Sequence, residues 1–429
     1  VAPLAALAAL PMAAQTMTDA NLQVTAVVPP GSGLSLPTTM AFLGPGDFLV
    51  LEKATGRVRR VVGGVLQLNP VLDVPVNSSS ERGMLGIAIQ PGSPPQVFLY
   101  YTEAAGSDGG SPIGNRVYRY NWDAGTGTLV NGQLILDLPV QGGPNHDGGV
   151  LALDSAGRLY ALIGDLNRNG QLQNNAGGSP PDDTSVVLRV DADGSAAAGN
   201  PFTPYCSVTT TQTCASDADC PGGQTCRTEV ARYYAYGIRN GFGLAFDRAT
   251  GALWDTENGP STYDEVNLIA PGFNSGWNPI MGPDARDPQG TGDLFNMPGA
   301  GLTYSDPEFS WLDTNAPTAI FFPVGSSWGT AYDRSALVAD ANNGNIYALP
   351  VNASRTGLDL AALPAALQDL VADDVTEQNL LRIGSGFSSL TDLERGPDNH
   401  VYAVSIGAGA IYRIAGPVSD LIFRDGMGV

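Results

Sequence analysis

Positive charge is scarce in this sequence: 21 lysines and arginines stand against 42 aspartates and glutamates, a formal net charge of −21. Phosphate binding needs clustered cations, so nucleic acid is a poor partner, and an anionic membrane surface is disfavoured on the same ground. Charged residues make up 15% of the chain and hydrophobic ones 43%, which excludes a disordered chain and allows a large core. No interior run is apolar enough to read as a membrane span. Histidine is nearly absent, with only His146 and His400. Cysteine is confined to Cys206, Cys214, Cys220 and Cys226, without the close C-x₂-C pairs of structural zinc sites. An even number of cysteines in an exported chain predicts two disulfides, and all three connectivities stay open.

The start, VAPLAALAALPMAAQ, is apolar and alanine-rich and reads as a secretory signal remnant. Residues 1–20 are therefore expected to be a leader and the protein to be secreted or periplasmic. What is abundant is glycine, 54 residues, and proline, 32, which favours many short strands and turns over long helices. Six stretches repeat one pattern of alternating apolar residues, a turn with Asp, Gly or Pro, and a second strand. They begin at Met40, Gly86, Gly149, Gly243, Ser326 and Ser389. Radial repetition of this kind predicts an all-β, six-bladed propeller of four-stranded antiparallel sheets, with long loops on one face. A β-sandwich is the alternative, but it does not require six repeats. The expected organisation is one propeller domain over 21–417, a disulfide-stapled insertion at 206–226 and a tail at 418–429.

Three stretches carry the chemistry: SSSERGMLGIAIQPG at 78–92, GGPNHDGGVLALDSAGRLYALIGD at 142–165, and YAYGIRNGFGLAFDRATGALWDTENGPSTYDEVNLIAPGFNSGW at 234–277. Their combination of N-H-x-x-G, I-G-D, R-N-x-x-G-L-A-F-D and G-P-x-x-x-D-E-x-N-L-I resembles the soluble quinoprotein glucose/sorbosone and aldose-sugar dehydrogenases over residues 35–416. The resemblance implies a propeller that uses pyrroloquinoline quinone (PQQ) and calcium to oxidise a sugar or small alcohol, passing electrons to an external acceptor.

It also implies roles for particular residues. His146 matches the general base that takes the proton of the sugar hydroxyl, a task suited to an imidazole with a reference pKa of about 6.5. Asp165 matches the carboxylate that orients it. Arg239 and Asn240 match the pair that contacts the quinone, where negative charge grows. Gly259 and Pro260 match carbonyls that hold calcium, and Asp264 and Glu265 a second calcium region. Glu81 stands where sugar dehydrogenases often have glutamine, and is a candidate cofactor contact. His400, in PDNH, reads as structural.

The resemblance breaks at the cations that meet the three carboxylates of PQQ. Asn342 stands at the lysine position of the fifth repeat and is kept as a candidate cofactor contact. Ser389 and Thr391 stand at or near two arginine positions of the sixth. Arg82, Arg334 and Arg395 are candidate substitutes. Two functions follow: a PQQ- and calcium-dependent dehydrogenase, supported by His146, Asp165, Arg239 and Asn240, or a non-catalytic propeller that binds a carbohydrate or protein partner, supported by Asn342, Ser389 and Thr391.

Overall fold

Period-two alternation separated by glycine turns produces strands along most of the chain. The computed structural model describes residues 14–286, 291–299, 301 and 303–417. Among these, the strands group into six sheets arranged as a propeller. The innermost strands are Pro37–Gly44, Met84–Gln90, Leu151–Leu153, Gly241–Phe246, Pro317–Phe321 and Leu390–Arg395. They line an axial channel of about 1350 Å³. The spaces between successive sheets are filled by side chains that interdigitate. Leu51 and Val58 meet Val97 and Leu99 between the first two sheets, for example, and Tyr402 and Ile411 meet Phe48 and Val50 where the last sheet returns to the first. Burial of these aliphatic and aromatic side chains is what holds one sheet to the next. The ring is closed by the N-terminal strand Gln23–Val28, which pairs antiparallel with the C-terminal strand Ala410–Ala415.

Several expectations need correction. Six equivalent four-stranded antiparallel blades are not what forms. Two sheets have four strands. The sheet starting at Leu151 is extended by parallel pairing of Phe273–Asn274 and Thr303–Tyr304, and the one starting at Gly241 by parallel Val371–Ala372. The sheet starting at Pro37 lacks a whole fourth strand. Two dipeptides, Val65–Leu66 and Leu72–Asp73, both pair with Arg57–Val62 instead, which leaves five complete blades and one with a broken outer edge. In the fifth repeat the inner strand lies upstream of the stretch beginning at Ser326, at Pro317–Phe321. Residues 326–332 are turns whose side chains do not alternate.

The N-terminal boundary also shifts. Thr16–Met17 already pairs with Arg382–Ser385, so residues 16–20 belong to the folded body and not to a leader. The rest of the signal-like stretch, residues 1–13, and the expected tail at 418–429 lie outside the described residues. Both disulfides form, as Cys206–Cys220 and Cys214–Cys226. The insertion they staple leaves the sheet after Val186–Val190 and returns at Tyr233–Tyr236, at the end remote from His146. Long connections therefore emerge at both ends of the propeller, not on one face.

Candidate functional site

Each inner strand runs away from one rim of the channel and the second strand of its sheet returns to it. Two positions in every repeat thus reach that rim: the residues before the inner strand and the turn after the second strand. Glu81, His146, Arg239, Asn240 and Ser389 occupy the first kind of position; Asp165, Gly259, Pro260 and Asn342 occupy the second. This rule gathers residues 81 to 389 onto one end of the molecule.

His146 is held in a left-handed backbone conformation, φ 64°, and is 8% exposed. A non-glycine residue at positive φ is costly unless its surroundings impose it. Here the His146 N–H donates to Glu81 Oε2 at 2.5 Å, and the ring Nδ1 lies 2.6 Å from Asp165 Oδ1. Asp165 is buried, and its carboxylate also accepts from the Asn167 N–H at 2.7 Å and from Trp277 Nε1 at 2.7 Å. With Nδ1 engaged, Nε2 is the nitrogen left to meet a ligand. Gly164 explains the glycine of the I-G-D motif. A Cβ there would stand 2.5 Å from the carbonyl oxygen of His146 and 2.6 Å from that of Arg239, so only glycine lets the three loops meet.

Arg239 joins this cluster through its backbone, which accepts from the Asp165 N–H at 2.9 Å and donates to Glu257 Oε2 at 2.9 Å. Its guanidinium donates to the Asn258 carbonyl at 2.5 Å and lies 5.1 Å from the centre of the Trp277 ring. Burial pulls the Arg239 pKa down, against the opposing pull of Asp165 and Glu81. Asn240 donates to Glu81 Oε2 at 3.1 Å. Three buried polar atoms here have no partner: Arg239 Nε, Asn240 Oδ1 and Asn258 Oδ1. Buried polar atoms normally find partners, so a cluster of three at one rim fits a polar ligand. The same oxygens are hard donors of the kind calcium prefers.

The GP turn is wound tightly. A Cβ on Gly259 would meet the carbonyl oxygens of Thr262 and Tyr263 at 2.1 and 2.4 Å. Asp264 organises this turn, accepting from the N–H groups of Gly259, Asn315 and Ala316 at 2.9, 2.7 and 2.7 Å. Glu265, the next residue in the strand Asp264–Ile269, points to the other face. There it accepts from Gly282 N and Asn267 Nδ2 and faces Glu257, opposite it in register. The two acids therefore do not form one ligand set. Among the described residues, the metal-ligating side chains brought within one ion's reach are disulfide cysteines, Cys206, Cys214 and Cys220. A calcium ion at the GP turn would rest on carbonyl and amide oxygens.

Asn342, Ser389 and Thr391 bring no cation to the rim; Lys53, in the turn after Asp47–Glu52, does reach it, where its Nζ donates to the Ser80 carbonyl at 2.6 Å beside Glu81. Asn342 is exposed in the turn after Ser335–Asp340, and Ser389 is half-buried at φ 60°. Thr391 faces the channel, with its hydroxyl near the Pro37 and Val404 carbonyls. Of the three candidate substitutes, Arg82 lies beside the His146 loop but is engaged there, and the other two lie away from this rim. Arg82 is buried against the Val140 and Gly143 carbonyls and beside Asp147. Arg334 and Arg395 lie at the other ends of the strands that bear Asn342 and Ser389 on this rim. That separation is roughly 15 Å or more. His400 also lies at the remote end, where its Nδ1 meets Ser327 Oγ at 2.6 Å and ties two loops together. Trp277, Glu257 and Asn258 complete the site and were not singled out from the sequence. Trp277 ends the G-F-N-S-G-W stretch, and the alternation of Asp255 and Glu257 along a strand was the available signal for the buried acids.

Buried carboxylates near the channel give a pH dependence. Burial is the main cause that pushes both Asp147 and Asp392 up to about 6. These values exceed those of an unfolded chain, so protonation favours the fold. The contribution is fully present below about pH 4 and is lost as pH rises through about 6. Self-repulsion in a chain of net charge −21 acts in the same direction. The ligand-free protein is expected to melt at lower temperature near pH 8 than near pH 5. Scanning calorimetry at both pH values checks this, and an equal or higher midpoint at the higher pH contradicts it.

With this geometry in place, comparison with known proteins decides the family. Residues 34–413 match the glucose/sorbosone dehydrogenase family model. The chain belongs to that family. The quinoprotein glucose dehydrogenase B of Acinetobacter calcoaceticus is 27% identical over 273 residues, 58% of this chain and 52% of that protein. The aldose sugar dehydrogenase of Escherichia coli strain K12 is 23% identical over 379 residues, 87% of each chain. An uncharacterised Synechocystis protein is 28% identical over 60% of each. The chain thus spans between half and two thirds of two of these relatives. The PQQ-bound form of aldose sugar dehydrogenase from Streptomyces coelicolor superposes with a TM-score of 0.64 at 23% identity, covering 92% of this chain and 98% of that one. The apo-form of the E. coli enzyme gives 0.66 at 20% identity, covering 92% and 99%. At these identities the likeness to this family member is one of fold.

Proposed function

We propose that this family member is an exported, PQQ- and calcium-dependent dehydrogenase of an aldose sugar or related alcohol. The observation that carries the reading is the buried His146–Asp165 pair, 2.6 Å apart, beside the unpartnered atoms of Arg239 and Asn240. When bound, PQQ supplies the hydride acceptor and calcium a Lewis acid. The protein's part is proton handling and orientation. His146 Nε2 takes the proton of the substrate hydroxyl, and Asp165 stabilises the imidazolium that results. Arg239 offers Nε where negative charge grows. Two disulfides suit an oxidising compartment, which supports export.

Asn342, Ser389 and Thr391 favour a second reading, a propeller that binds a carbohydrate or protein partner without redox chemistry. Ligand-dependent melting separates the two. PQQ with millimolar calcium is expected to raise the midpoint, by roughly 2.7 kcal/mol of stabilisation at a hundredfold excess over Kd. No shift with either ligand or both favours the binding propeller.

A further inference from the structure

We propose that Trp277 is a positioning residue that fixes Asp165 beneath His146 through its indole N–H and Arg239 through its ring. The inference rests on the dehydrogenase reading for its catalytic consequence, but not for its structural test. One side chain touches both halves of the site: Nε1 donates to Asp165 Oδ2 at 2.7 Å, and the ring centre is 5.1 Å from the Arg239 guanidinium. Trp277 cannot readily turn away, because its backbone is pinned on both sides. Its N–H donates to the Gly237 carbonyl at 3.1 Å, and its carbonyl accepts from Asn174 Nδ2 at 2.7 Å. Asn174 is itself locked to Asn274 by reciprocal amide bonds of 2.9 and 2.7 Å.

The chemistry follows from how the Asp165 carboxylate is shared. Oδ1 serves the His146 ring and the Asn167 N–H, and Oδ2 serves Trp277. Each donor draws charge away from the carboxylate. Without the indole N–H, more of that charge faces the imidazole, and the protonated ring is favoured. The charged groups around His146 are Asp165, Glu81 and Asp147, with Arg82, Lys53 and Arg239 against them. Only Asp165 changes its hydrogen bonding in this substitution. The ring's second role is a cation–π contact that keeps the guanidinium from swinging into solvent.

The chain's second histidine makes the test direct. In a His400→Gln background His146 is the sole imidazole, and its NMR signals can be followed through pH without any cofactor. Adding Trp277→Phe removes the indole N–H and keeps an aromatic ring over Arg239. With the indole N–H gone, the titration midpoint of His146 in the variant is expected to lie at higher pH than in the His400→Gln parent, because the Asp165 carboxylate then turns more of its charge to the ring. Trp277→Leu repeats the test should the Phe variant not fold, and in addition releases Arg239. A folded variant of either kind whose midpoint does not move overturns the proposal. In the loaded protein the acid limb of the kcat–pH profile should move the same way. Absence of turnover in unaltered protein would defeat the dehydrogenase reading and leave the NMR result to judge Trp277 separately.

Discussion

Replacing His146 with glutamine is expected to lower turnover by about 10²–10⁴-fold, the usual contribution of a positioned general base. Glutamine fills similar space and can still hydrogen bond to Asp165, but it cannot accept a proton near neutral pH. The fold should survive. Asp165 keeps its bonds from Asn167 and Trp277, and the backbone N–H of residue 146 stays bonded to Glu81. Thermal melting and the calcium response should therefore stay close to those of the parent. His400→Gln should leave turnover unchanged, since that ring ties loops at the remote end of the propeller. The check is steady-state kinetics on both variants with PQQ and calcium present. Turnover that persists in His146→Gln would remove His146 from the role of base without removing the enzyme.

The second large effect is a gain. Asn342→Lys is expected to tighten PQQ binding by about 10–100-fold, because a hydrogen bond to a charged group contributes roughly 1.5–3 kcal/mol and each 1.4 kcal/mol is tenfold. Asn342 is exposed in a turn, so a longer side chain meets no packing penalty there. Pairing it with Ser389→Arg, half-buried on the same rim, should add to the effect, with the usual departure from additivity for two sites serving one ligand. Isothermal titration of the calcium-loaded protein with PQQ measures it directly. Unchanged affinity in the double variant would mean that the cofactor's carboxylates do not face this rim.

Much of the architecture can be read from residue pattern, and the exceptions have physical causes. Stretches such as GVLALDSAGRLYALIGD are legible as two apolar strand runs on either side of a D-S-A-G turn. The fifth inner strand, PTAIF, is buried throughout and has no alternation to read. The parallel additions at Phe273–Asn274, Thr303–Tyr304 and Val371–Ala372 are two residues each, too short for any period. Cysteine pairing depended on how the insertion folds back, which spacing does not contain. Glu81, His146, Asp165, Arg239, Asn240 and Gly259 lie at one rim because they occupy two fixed positions in each repeat. Side-chain direction was less legible. Asp264 and Glu265 are adjacent in sequence yet serve opposite faces of a strand. Arg334 and Arg395 are near Asn342 and Ser389 in sequence, but a strand's length separates each pair. Trp277 passed as one more aromatic because its significance lies in Asp165, 112 residues away.

The central claim is catalysis, and one assay tests it most directly. Purified protein loaded with PQQ and calcium is offered a panel of aldoses and simple alcohols with an artificial electron-accepting dye. The account predicts dye reduction with at least one aldose or alcohol, dependent on PQQ and on the substrate. Protein that binds PQQ yet reduces no dye with any of them would contradict it, and Asn342, Ser389 and Thr391 would then mark a pocket that has lost its chemistry.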